Sequence, residues 1–331
     1  MKIIVFRNDR IGDFLVSSLL INDFKKKDKN FHFTVVCSNK NYYYVKNSKL
    51  VDNVLLIPSN FFERIVFYLK LLRKKYDISI VLDGKKKSIL SSIILSSSKK
   101  ILITNKASYK ILFHFLFSKI IHILPNETRI GELKKVSKYL NFNFDDQSTK
   151  YFNNHNLVTD KIKTFTNNIK DYNIFHFDEK WIFDKYIKTY QNIEPSRDDL
   201  FNFIKDILIK SKKDLLITTG KHQNFLINFL KEQFSKFDEN IYTYKFNNQN
   251  VYIVDNIDIF NLEYIISKSS IVITCEGTPS HLANMYNKKI IAIIDKSEAR
   301  IFFNWTAHFT QISLLPRSNF KDISSQIIKN L

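Results

Sequence analysis

Lys2-Ile3-Ile4-Val5-Phe6-Arg7-Asn8-Asp9-Arg10-Ile11-Gly12-Asp13-Phe14-Leu15-Val16-Ser17 reads as a strand, a polar turn and the opening of a helix. The run 2–6 is apolar and β-branched, which suits a buried, pleated surface. Charge follows at once at Arg7, unlike a secretory leader, whose apolar stretch gives way to small residues. The unit recurs along the chain. Expected strands are 2–6, 32–37, 53–57, 78–82 and 100–103, then 172–176, 214–218, 251–254, 270–274 and 289–294. Amphipathic segments fall at 14–26, 60–75, 87–97, 199–210, 222–236, 260–267 and 279–286. Short strands alternating with helical patterns predict parallel sheets with crossover helices.

The alternation occurs twice. It is interrupted between about 126 and 170 by a helix over 132–139 and a polar, Asn/Asp-rich stretch, 141–160. The expected architecture is two Rossmann-like domains facing a central cleft, residues 1–160 and 161–331. Length agrees, because 331 residues at roughly 150 per domain suggest two domains. A 44% apolar and 15% aromatic composition excludes a disordered or collagen-like chain. Cys37 and Cys275 form neither a disulfide framework nor a C-x-x-C site, which fits a reducing compartment. The longest apolar tracts, 111–116 and 120–124, carry or flank His114, Lys119 and His122 and fall far short of the roughly 18 residues of a membrane span. The surplus of 51 Lys+Arg over 32 Asp+Glu, formally +19, attracts nucleic acid, anionic lipid or phosphorylated sugars alike. A surface that merely solvates its lysines explains much of it equally well.

Glycine is scarce, and a chain with five of them will keep them where other residues do not fit. Gly12, Gly84, Gly220 and Gly277 each follow a strand pattern and precede a helix pattern. These turns lie beyond the carboxyl ends of the strands, where open α/β sheets bind ligands.

The first turn lacks both G-x-G-x-x-G and the Walker pattern, so neither a dinucleotide fingerprint nor a P-loop is supported. It offers Asp13 beside Gly12 at a helix start, where the dipole stabilises a carboxylate by about 0.3–1 kcal/mol. That suits a general base, worth roughly 10²–10⁴ in rate, and it equally suits a plain helix cap made by Asp13 or Asp9. The second turn is Thr274-Cys275-Glu276-Gly277-Thr278-Pro279-Ser280-His281. Pro279 fits a first helical turn, and backbone N–H groups there can cradle phosphate. Thr278, Ser280 and His281 can add donors, and Glu276 can accept from a sugar hydroxyl. A cap followed by a satisfied histidine is the plainer alternative.

Together these segments resemble glycosyltransferase family 9, the ADP-heptose:lipopolysaccharide heptosyltransferases. Residues 7–13 are similar to the family's first motif, 276–283 loosely to its distal motif, and His176-Phe177-Asp178-Glu179-Lys180-Trp181 to its lysine-tryptophan step. Their order, their spacing and the chain length agree over most of the sequence. The resemblance implies an α/β GT-B fold, with acceptor bound mainly by the N-terminal domain and nucleotide-sugar by the C-terminal one. It implies transfer with inversion, no cofactor and no catalytic metal, and the chain contains no D-x-D. Carried over, Asp13 is the base, with Arg10 and Gly12 in the acceptor-side turn. Lys180 binds the donor diphosphate, Glu276 contacts the donor sugar, and Gly277, Thr278, Pro279, Ser280 and His281 form the phosphate turn. The implied partners are an ADP-heptose or other nucleotide-sugar donor, a lipid-linked glycan acceptor of lipopolysaccharide type and an anionic membrane surface, with no specific nucleic acid. The implied location is cytoplasmic, peripheral to the inner face of a bacterial inner membrane.

The chain departs from the pattern at Glu276, where the family has Asp, and at Gly277-Thr278, which inverts the usual order. No acidic residue follows the 214–218 strand, leaving Gln223 or Asn224 to meet a donor ribose. The remaining histidines read as structural or surface residues, and Trp181 and Trp305 as packing or cleft walls. Lys85-Lys86-Lys87 suits acceptor phosphates or a solvated helix start. The aromatic-basic stretch 61–75 suits either an ordinary core-facing helix or a membrane surface. Competing functions are another GT-B enzyme such as a nucleotide-sugar epimerase, a relative that binds without turnover, and a non-catalytic basic nucleic-acid-binding protein. The last lacks any recognition motif.

Overall fold

A computed structural model describes residues 1–145, 155–182, 189–222 and 224–331. The chain divides into two compact units, Met1–Asn154 with Phe303–His308, and His155–Phe302 with Phe309–Leu331.

The first unit runs β1 (Lys2–Phe6), α1 (Ile11–Lys27), β2 (His32–Cys37), α2 (Tyr42–Lys46), β3 (Asn53–Leu56), α3 (Phe61–Leu72), β4 (Lys75–Val81), α4 (Lys86–Ile94), β5 (Ser96–Thr104), α5 (Ala107–Leu112), β6 (Lys119–His122) and α6 (Arg129–Tyr139). Its six strands are all parallel, in the order β3-β2-β1-β4-β5-β6. The chain winds from β1 out to β3, then crosses back to β4 on the other flank of β1. The switch point, where such sheets open a ligand crevice, therefore lies between β1 and β4. Right-handed crossovers put α3, α4 and α5 on one face, where Phe67, Leu71 and Ile89 pack on Phe6, Val81 and Leu102.

The second unit contains α7 (Asp160–Asn167), β7 (Tyr172–His176), α8 (Arg197–Ser211), β8 (Asp214–Thr218), α9 (Phe225–Gln233), β9 (Ser235–Asp238), β10 (Ile241–Phe246), β11 (Gln249–Val254), α10 (Ile259–Lys268), β12 (Ile271–Cys275), α11 (Thr278–Met285), β13 (Lys289–Ile294), β14 (Ile312–Pro316) and α13 (Phe320–Asn330), and α12 (Ala299–Thr306) passes from it into the first unit at Phe303. The eight strands are ordered β14-β13-β12-β7-β8-β11-β10-β9. Here the switch lies between β7 and β12. The core is strongly aromatic: Trp181 is fully buried, edge-on to Phe175 with ring centroids 5.0 Å apart. Its Nε1–H donates to the His176 carbonyl at 3.0 Å, which anchors the turn after β7.

The alternation expected from sequence is the observed architecture, with three corrections, of which the first is that the helix expected over 222–236 ends at Gln233, because Ser235 and Lys236 pair with β10 as strand β9. The second sheet is not wholly parallel, because β10 pairs antiparallel with both β9 and β11. The helix expected over 87–97 stops at Ile94, because residues from Ser96 onward pair with β4 as a strand. Of the stretch 141–160, residues 146–154 lie outside the described residues, as does Gln223.

Candidate functional site

In the first unit, the turns leaving β1 and β4 are laced together. Arg7, almost fully buried, donates from Nη1 to the Leu82 carbonyl at 3.0 Å and from Nε to the Asp13 carbonyl at 3.2 Å. Its guanidinium lies 3.2 Å from the Asp9 carboxylate and 3.7 Å from that of Asp13. Asp83 accepts from the Asn8 N–H, the Lys85 N–H and the Ser88 hydroxyl, at 3.0, 3.0 and 2.7 Å. Burial still raises its pKa. Lys85 pairs with Asp9 and donates to the Asn8 carbonyl.

Asp13 sits in the first turn of α1. One carboxylate oxygen accepts the Arg10 N–H at 2.8 Å, so Asp13 does cap the helix, and the other faces Arg7. The side chain is 20% exposed. Gly12 is buried inside α1 rather than in the turn, and Arg10 is exposed at its N-cap. Trp305 lies against two guanidiniums, with Arg129 4.4 Å and Arg7 5.3 Å from its ring centre. Arg129 in turn holds Glu132 through both carboxylate oxygens, at 2.6 and 2.8 Å.

In the second unit, the turns leaving β7 and β12 meet. Lys180 donates from Nζ to the Glu276 carbonyl and lies 3.9 Å from the Asp178 carboxylate. Asp178 is buried. Desolvation acts to raise its pKa, but Lys180 and His176 outweigh it and hold the carboxyl below the usual range. His176 is itself fixed by Thr218, Nδ1 to Oγ1 2.9 Å.

Glu276 contrasts with Asp178. Both its carboxylate oxygens are buried without a hydrogen-bond partner. Burial pushes its carboxyl above the ordinary range against the pull of Lys180 and Arg317. Arg317, just past β14, donates to the Lys180 carbonyl at 3.0 Å and approaches the Cys275 sulfur at 3.5 Å. Its Nε–H is also buried and unpaired.

Gly277 caps α11 with φ +140°, a conformation that strains other residues. A Cβ there would collide with Lys180 Nζ. Pro279 occupies the first turn, where its missing N–H costs nothing. Ser280 is fully buried and spends its hydroxyl on the Gly277 carbonyl at 2.7 Å. His281 is buried edge-on to Phe309, ring centroids 5.3 Å apart. Thr278, half-buried, opens the helix.

The structure thus brings Lys180, Glu276, Gly277, Thr278, Pro279, Ser280 and His281 together within the second unit, and Arg10, Gly12 and Asp13 within the first. Sequence reasoning assigned no role to Arg317 or Asp178, and read Trp305 only as packing or a cleft wall. Arg317 had one usable signal, its place directly after an Ile-Ser-Leu-Leu-Pro strand. Among the described residues, no three His, Cys, Asp or Glu side chains are grouped to hold a metal ion.

No family model and no curated protein matches this sequence. Solved structures match its fold over nearly the whole length. A glycosyltransferase family 9 protein from Veillonella parvula DSM 2008 superposes with TM-score 0.68 at 12% identity, over 99% of this chain and 90% of that one. E. coli heptosyltransferase WaaC with ADP gives TM-score 0.67 at 14% identity, over 100% of both chains. A UDP-GlcNAc 2-epimerase from Methanocaldococcus jannaschii gives TM-score 0.57 at 13% identity, over 99% and 92%. The chain therefore has the α/β GT-B fold of these proteins and resembles the family 9 heptosyltransferases.

Proposed function

We propose that this protein is an inverting, metal-independent glycosyltransferase that moves a heptose or related sugar from a nucleoside diphosphate to a lipid-linked, lipopolysaccharide-type glycan. On this reading the acceptor binds mainly to a domain over 1–160 and the donor to one over 161–331, with the enzyme on the cytoplasmic side of the membrane.

The observation that carries the reading is Glu276. A buried carboxylate without hydrogen bonds is costly, and it persists here beside Lys180 and Arg317 at the switch of a doubly wound sheet. A sugar hydroxyl supplies the donor it lacks, while Lys180 and the α11 N-terminus meet the diphosphate. Preorganised positive charge of this kind stabilises a departing nucleotide. Asp13 takes the proton of the acceptor hydroxyl as that oxygen attacks the anomeric carbon. The bond from that carbon to the diphosphate breaks, and configuration inverts.

Thermal unfolding against ADP-, GDP-, UDP- and CMP-sugars tests the donor site, since a bound ligand raises the melting temperature by mass action. A shift with one nucleotide class, abolished by Glu276→Ala, supports the reading, and silence across the panel overturns it. Product mass then separates transfer from epimerisation, the competing chemistry on this fold.

A further inference from the structure

The outer surface of the layer formed by α3, α4 and α5 is apolar where a solvent-facing layer should be polar. On α3, Phe67 and Leu71 face the core. At 100° per residue, Phe62, Val66 and Leu69 lie on the opposite side, and they are 76%, 50% and 55% exposed. A helix apolar all round is normally buried on all sides. The segment at and after α5 repeats the anomaly, with Ile111 79% and Phe115 89% exposed. Leu90 of α4, between them on the same face, is also exposed. Of the twenty large apolar side chains exposed among the described residues, eleven fall on these three segments. So strong a concentration marks an interaction surface.

Charge identifies the partner. Residues 61–75, 86–94 and 105–119 carry ten lysines and arginines against one carboxylate, Glu63. Arg73, Lys74, Lys86, Lys87 and Lys110 are exposed beside the apolar residues. A second copy of the same surface would set like charges against each other, whereas an anionic bilayer takes apolar side chains at its acyl boundary and cations at its headgroups. No helix among the described residues is long and apolar enough to cross a membrane.

We infer that the α3–α4–α5 face docks on an anionic lipid surface, which deepens the proposed function by placing the acceptor's membrane against the N-terminal unit. Cosedimentation with phosphatidylcholine vesicles, with and without about 30% phosphatidylglycerol, tests it. The protein should pellet with the anionic vesicles, and Phe62→Ser/Val66→Ser/Leu69→Ser and Ile111→Ser/Phe115→Ser should each weaken this about tenfold with unchanged melting temperature. Absence of pelleting overturns the inference. So does binding that salt abolishes while the serine variants leave it intact, because that is adsorption of a basic protein elsewhere. A dimer in sedimentation velocity that the serine variants dissociate also overturns it, making the face a contact between copies. Vesicle binding is read without donor or turnover, so failure of the transferase reading would leave these results standing.

Discussion

The ammonium of Lys180, in the turn after β7, donates to the main-chain carbonyl of Glu276, directly after β12. One side chain thereby joins the two turns that flank the switch of the C-terminal sheet. The residue whose carboxylate lacks a partner is held by its backbone to the cation assigned to the diphosphate. Changes on either side of this link should be felt on the other.

Gly277→Ala tests the link directly. The added methyl meets Lys180 Nζ, and φ +140° is strained for any residue with a Cβ. Such strain costs about 1–3 kcal/mol, so melting temperature should fall by several degrees and donor affinity at least tenfold. Wild-type affinity in this variant would show that Lys180 does not depend on the turn for its position.

Glu276 should show a stability–function conflict that depends on pH. Its folded pKa is raised above an unfolded value of about 4.3, so ionisation costs stability as pH climbs through the raised value. Glu276→Gln removes that cost. Relative to wild type, its melting temperature should be higher near pH 7.5 than near pH 4, while donor binding weakens because an amide oxygen is a poorer acceptor than a carboxylate. A pH-independent difference would mean that the carboxyl is not strained in the folded protein.

Asp178 has the opposite sign. Its folded pKa is depressed, so its contribution is present above the unfolded value of about 3.9 and is lost as pH falls through the folded one. Asp178→Asn leaves Lys180 and His176 without their buried anion and should cost about 3–5 kcal/mol near neutrality. Denaturant midpoints of variant and wild type should converge in acid.

Asp13 carries two roles that two substitutions separate. Asparagine still accepts the Arg10 N–H and keeps the cap, whereas alanine forfeits about 1 kcal/mol, or about 2–4 °C for a domain of this size. Both should lose 10²–10⁴ in turnover if the carboxylate is the base. Normal turnover by Asp13→Asn would leave it only a cap.

Neither thiol should react in the native protein. Burial pushes Cys37 up to about 12 and Cys275 well above its ordinary value, and the thiolate is the reactive form. Titration with a thiol reagent should find almost none before unfolding and both afterwards.

Much of this architecture was legible in the chain because buried parallel strands are written as β-branched runs. The expected bounds 2–6, 32–37, 172–176, 214–218 and 289–294 are those of β1, β2, β7, β8 and β13. What escaped lies where tertiary pairing overrides local pattern. β10 alternates aromatic and polar residues around Tyr242 and Tyr244, and its hairpin to β11 turns on Asn247 at φ 54°, an Asn-Asn signal that went unread. β14 reads Ile-Ser-Leu-Leu-Pro, with a single β-branched residue, so Arg317 had no recognised strand to carry it to the site. The turn after β12 was visible because Gly277 and a Pro-marked helix start punctuate it, and the turn after β1 because charged residues follow the apolar strand at once. The unsatisfied state of Glu276 was not, because it depends on residues that β12 meets only in three dimensions.

Trp305 belongs by its contacts to the first unit although it lies late in the chain. A fragment ending at Asn154 would leave Arg7 and Arg129 without the ring both guanidiniums face. The N-terminal half is therefore not self-sufficient in its own sequence. During synthesis, at about 5–20 residues per second, Arg7 and Arg129 meet that ring only long after the rest of their unit has been made. A product that stops short of residue 305 therefore carries both guanidiniums without the ring they share.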